Sequence, residues 1–221
     1  MRNFTLLLAA VCFSAGVAIA QDSETISRTV FKLSPQHFTQ NSLKGGVERF
    51  YKDHSLSVAV FITGRMEKNE GTYYGEGYDG LAGELQVRKY INPMKAVTSR
   101  RNRVFHQGVY AAVYVQGGSY SGDFKSEYSY YDPNTGSLVR EVQYDYEDHV
   151  GNWGGGFTMG YQKTVWQVIF LEAFIGGGLQ FSDRITTGML PDESYFYYDG
   201  ILDPYYRGIL PKFGLNIGIG L

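Results

Sequence analysis

The chain has 221 residues, 28 of them glycine, 19 tyrosine and 14 phenylalanine, with a formal net charge of −2. That glycine share is nearly twice the roughly 7% of average proteins, and charged residues reach only 19%, which argues against a disordered chain. The near-neutral balance, without a dominant basic block, argues against nucleic acid as a main partner. No apolar run beyond the opening segment is long enough for a transmembrane helix. A glycine- and aromatic-rich chain of this length points to β structure.

Residues 1–20 read as an export signal: Arg2 is the positive start, 6–17 the apolar core, and Ala18-Ile19-Ala20 the small-x-small cleavage site. Cleavage before Gln21 leaves 21–221 as one expected domain. Cys12 is the only cysteine and departs with the signal. The mature chain is then expected to hold no disulfide, thiolate nucleophile or cysteine metal site.

From there the sequence alternates with period 2, and eight strands are predicted: 27–35, 41–51, 55–66, 78–91, 103–120, 150–162, 166–182 and 209–221. The last is the clearest. Phe213, Leu215, Ile217, Ile219 and Leu221 share one face, and Lys212, Gly214, Asn216, Gly218 and Gly220 the other. A hairpin around 195–198 would raise the count to ten. The connections at 51–55 and 162–165 are tight, that at 92–102 is moderate, and those at 67–77, 121–149 and 183–208 are long. If the chain starts and ends on one side, all three long loops fall on the other, as in outer-membrane barrels.

Alternation does not say which face points inward. A soluble barrel would turn the aliphatic stripe into its lumen, and a membrane barrel would turn it to lipid. The less apolar face carries Lys44, Glu48, Glu84, Arg88, Gln116 and Glu172, and a small membrane barrel has a polar interior where such charges pair. Trp153, Tyr161, Trp166, Tyr90, Tyr51 and Phe181 fall towards strand ends, where rings prefer the headgroup layer. The expected fold is therefore an all-β, eight-stranded, antiparallel up-and-down transmembrane barrel. Lys44, Glu48, Glu84, Arg88 and Glu172 are its expected lumen network, structural rather than conducting, because a barrel of this size is filled by its own side chains.

The export signal, the alternating strands, and the runs Phe31-Lys32-Leu33-Ser34-Pro35, Gly46-Val47-Glu48-Arg49-Phe50 and Ser55-Leu56-Ser57-Val58 resemble small bacterial outer-membrane β-barrel proteins of OmpA/OmpX type. The resemblance covers most of 27–221 and implies residence in the outer membrane of a Gram-negative cell.

Asp132-Pro133-Asn134-Thr135-Gly136 is a strong turn signal. It is flanked by arms of equal length, 104–131 and 137–164, so one continuous hairpin is expected to project beyond the membrane. Its projecting part is rich in tyrosine: Tyr128, Tyr130, Tyr131, Tyr144 and Tyr146 form a candidate external interaction surface, suited to a partner strand or to sugars. Glu147, Asp148 and His149 could bind a divalent cation or act as an acid–base pair, but without regular ligand spacing they read as a solvated loop. The mature histidines are His37, His54, His106 and His149. No His-x-Ser arrangement accompanies them, so no catalytic, metal or cofactor residue is assigned.

The functional expectation is a non-enzymatic, monomeric outer-membrane protein, structural or adhesive through its external loops. Its expected partners are outer-membrane lipid and an extracellular protein or glycan. The alternatives are a soluble, lipocalin-like lipid carrier and, more weakly supported, a lipid-modifying enzyme at the barrel rim.

Overall fold

A computed structural model describes residues 29–51, 55–65, 78–98, 103–131, 133–166, 169–189 and 204–220. The expected signal and the region 195–198 lie outside them. The described chain runs β1 (Thr29–Leu33), a 3-10 helix η1 (Pro35–Gln40), β2 (Ser42–Phe50), β3 (Leu56–Arg65), β4 (Asp79–Thr98), β5 (Arg103–Tyr131), β6 (Leu138–Trp166), β7 (Ile169–Met189) and β8 (Gly208–Gly220). Each strand pairs antiparallel with its sequence neighbours, and β8 returns to β1, from Val30 opposite Gly220 to Leu33 opposite Ile217. The single sheet therefore closes on itself where all eight strands pair.

Three departures from the sequence expectation have local causes. Pro35 has its φ preset for the first helical position, and Asn41 turns the chain at φ 48. These two residues place η1 where only a connection was expected. β4 continues to Thr98, past the expected end at 91, with a register shift between Ile91 and Met94. Pro93 lies in that shift, and its missing N–H removes one ladder bond there. β7 runs to Met189 rather than ending at 182, because β6 remains alongside it up to the pair Asp145–Met189. β5 and β6 are each 29 residues long and pair through 121–149, the one continuous hairpin that the equal arms 104–131 and 137–164 predict.

The two faces of the sheet have opposite chemistry. Phe213, Leu215, Ile217 and Ile219 of β8 are 73, 57, 44 and 54% exposed, whereas Glu48 and Arg88 are fully buried. The outward aliphatic side continues around the wall through Leu43, Ile62, Val87, Val113, Met159, Ile175 and Leu179. Soluble proteins seldom expose so continuous an apolar surface.

Glycines on β6 and β7 let the wall pass close to its neighbours. A Cβ at Gly156 would lie 2.1 Å from the carbonyl oxygen of Gly177, and one at Gly178 2.6 Å from the Tyr114 hydroxyl. Gly156→Ala must push two backbones apart and is expected to cost on the order of 1–3 kcal/mol, read as an earlier unfolding midpoint in detergent. Gly64→Ala, whose Cβ would meet its nearest atom at 3.7 Å, is expected to leave the midpoint unchanged.

Candidate functional site

Inward-facing positions of adjacent strands build a polar interior in layers. In the first, Arg88 of β4 donates from Nη1 to Oε2 of Glu172 (3.0 Å) and of Glu48 (3.3 Å), and Lys32 of β1 is ion-paired with both carboxylates. The remaining lone pairs are also taken. Tyr90 and Ser57 donate to Glu48, and Tyr110 (2.6 Å) and Asn216 (3.0 Å) to Glu172. The guanidinium lies over the Tyr110 ring at 4.7 Å. Two cations face two carboxylates, so this layer is neutral, as a buried ionic cluster must nearly be.

A second layer sets Glu84 between Lys44 and Lys212, the latter 3.0 Å away. Lys212 also donates to Gln116 at 3.0 Å and lies 3.6 Å over the Tyr114 ring, and Gln116 donates to Gln180 at 3.2 Å. The structure thus brings together all five expected lumen residues, Lys44, Glu48, Glu84, Arg88 and Glu172. It adds Lys32 and Lys212, which sequence reasoning left out of the network. The signal was present: Lys32 sits between Phe31 and Leu33, so period 2 already placed it opposite the aliphatic face.

Nearer the projecting hairpin, a third layer is mainly aromatic. Tyr78, Phe124, Tyr146, Val150 and Tyr205 form a buried cluster, in which Phe124 stacks on Tyr146 at 5.0 Å. Fully buried Asp148 accepts from the Tyr78 hydroxyl (2.9 Å), Thr186 and Arg184. Two sequence readings change here. Tyr146 is not part of an external surface but is packed inside, because continued alternation past 149 turns it inward. The trio Glu147, Asp148 and His149 is likewise split. Glu147 and His149 lie outside, 3.0 Å apart and half exposed, while Asp148 faces the interior. Among the described residues no group of three or more His, Cys, Asp or Glu is placed to hold a metal ion.

Beyond Ser121, β5 has no β4 residue opposite it, and β6 has no β7 partner before Asp145. The tip is therefore a two-stranded ribbon, with a bulge between Ser126 and Glu127 and Gly136 in the left-handed region at φ 65. Tyr131 at its end is 72% exposed. The backbones of Tyr128, Tyr130 and Tyr144 belong to this ribbon; their side chains lie outside the described residues.

η1 makes one pairing that sequence spacing did not suggest. His37 Nδ1 lies 3.3 Å from Ser42 Oγ. Ser42, however, gives its proton to the carbonyl of His37 at 2.9 Å, and among the described residues no carboxylate hydrogen-bonds the ring. Burial, with the nearby charge of Lys44 and then of Lys212, pulls the imidazole down to about 4. An activated nucleophile needs a base oriented by a third group, and this pair does not supply that geometry. His54 lies outside the described residues, as does the side chain of His106.

Comparison with family models, with characterised proteins and with solved structures returns no match.

Proposed function

We propose that this chain is an integral outer-membrane β-barrel protein of a Gram-negative cell, of the OmpA/OmpX type, exported by residues 1–20 and acting without catalysis or cofactor. The observation that carries this reading is the reversed amphipathicity of the closed sheet, aliphatic outside and ionic inside. A lipocalin-like carrier would need the opposite arrangement. On β6 the outward stretch from Trp153 to Tyr161 spans nine residues, within the roughly 9–11 that a tilted membrane strand needs. Its upper end carries Trp153 stacked on Phe181 at 4.5 Å, an interfacial aromatic pair.

The ionic layers fill the lumen, so the barrel is closed to solutes and its activity lies outside. With the tight turns on the periplasmic side, the β5–β6 ribbon projects from the cell surface. Among the described residues its edges pair with no third strand, and with exposed Tyr131 they suit a structural or adhesive contact with an extracellular protein or glycan. The protein acts as a monomer, with outer-membrane lipid as its standing partner.

Cell fractionation with a cell-surface protease tests this. The protein is expected in the outer-membrane fraction after a urea wash, to migrate faster on gels when unboiled, and to be cut in intact cells near 133–137. Recovery in the soluble periplasm, with no heat-dependent shift, would overturn the membrane reading. Protection of 133–137 in intact cells, with cleavage after lysis, would overturn the orientation.

A further inference from the structure

β1 covers only one end of β8. It pairs from Val30 opposite Gly220 to Leu33 opposite Ile217 and stops, whereas β7 stays beside β8 up to Gly208. Along 208–216 β8 therefore has no β1 residue beside it, and η1 lies there instead. That edge is blunted residue by residue. In an antiparallel strand alternate residues turn N–H and C=O to the same neighbour, and Leu215 turns its N–H to η1, donating to Gln36 Oε1 at 3.4 Å. Ile209, Pro211 and Phe213 face the same side. The Ile209 carbonyl accepts from the Tyr206 hydroxyl at 3.0 Å, and Pro211 has no N–H to leave unpaired. Gly214 leaves the space that Gln36 occupies: a Cβ there would lie 2.3 Å from Gln36 Nε2. Ser34, just before η1, gives its hydroxyl proton to Asn216 and its N–H to the Lys44 carbonyl at 3.0 Å. The segment 34–40 thus bridges β8 and β2 through single hydrogen bonds rather than a ladder.

Behind η1 lies the second ionic layer. Lys44 belongs to β2 and Lys212 to β8, the strands that flank the gap, and their side chains are only 9 and 11% exposed. The His37 imidazole on η1 is close enough to feel both charges. We propose that η1 is a latch in a lateral seam of the barrel wall, and that its release opens the Lys44–Glu84–Lys212 layer sideways. A segment held by a few separate bonds opens more readily than one held in a ladder. The Lys32–Arg88 layer stays shut, because Lys32 sits within the stretch of β1 that pairs with β8. The inference goes beyond the membrane reading and is independent of it, since it rests on strand register and not on what surrounds the barrel.

The buried lysines are their own probes. Purified full-length mature protein in dodecyl maltoside is given a short pulse of a water-soluble acetylating reagent, and each lysine is read by mass spectrometry. Gln36→Cys/Gly214→Cys places a thiol pair across the seam, in a mature chain expected to hold no other cysteine. Oxidised, this variant is expected to acetylate at Lys44 and Lys212 roughly tenfold more slowly than the same protein after reduction, with Lys32 unchanged. Gln36→Ala is expected to speed both sites about two- to tenfold, the effect of losing one ordinary hydrogen bond. It alters no strand residue and decides the matter if the thiol pair does not close. Equal rates at Lys44 and Lys212 in the oxidised, reduced and Gln36→Ala proteins, all with the same folded circular-dichroism spectrum, would overturn the latch. So would a change at Lys32 as large as theirs, which would mean that the whole barrel opens and not the seam.

Discussion

Ile175→Arg is expected to deplete the protein from the outer-membrane fraction. Ile175 is 68% exposed, lies in β7 between Leu171 and the Trp153–Phe181 pair, and stands opposite the outward residues Met159 and Phe213. In water an arginine there would be an ordinary surface change, within about 0.5 kcal/mol. Against hydrocarbon near the bilayer midplane it costs about 2–4 kcal/mol. Thr187→Arg, also outward on β7 but beyond Phe181, is expected to leave assembly intact. The measurement is the fraction of each variant that shows the heat-dependent shift after fractionation. Equal assembly of the two variants would mean that the aliphatic surface does not face lipid.

The second large effect lies inside. Arg88→Met leaves Glu48 and Glu172 to share Lys32, so two buried carboxylates face one cation. Uncompensated buried charge of this kind costs about 3–5 kcal/mol, and the variant is expected to lose its heat-resistant form about 6–20 °C earlier or not to assemble. Adding Glu172→Gln to Arg88→Met restores the charge balance and is expected to recover part of the loss. The non-additivity of that pair measures the coupling. Lys44→Met is expected to be milder, because Lys212 remains 3.0 Å from Glu84 and the layer keeps one cation for its one carboxylate. An Arg88→Met variant as stable as the parent would show that the ion pairs do not hold the strands together.

The interior was more legible in the sequence than the exterior. Glu48, Glu84, Arg88 and Glu172 could be placed on one face by counting, since side chains of a strand alternate regardless of what lies around them. Partner choice could not be read this way. Lys32 and Glu172 are 140 residues apart and meet only because β1 closes against β8. The His37–Ser42 contact escaped for a different reason. It depends on a single 3-10 turn started by Pro35, and strand periodicity is silent about such a turn. Tyr146 and Asp148 precede the predicted strand, which begins at 150; the same alternation carried four residues further turns both inward.

The sequence by itself determined that this chain forms alternating strands joined by one long hairpin, because a period of two is a local property of the backbone and Asp132-Pro133-Asn134-Thr135-Gly136 marks its own turn. Only the tertiary structure decided which ions meet across the lumen. Alternation puts a charge on a face but does not choose its partner, and that choice follows from the register of the strands and the closure of β8 onto β1.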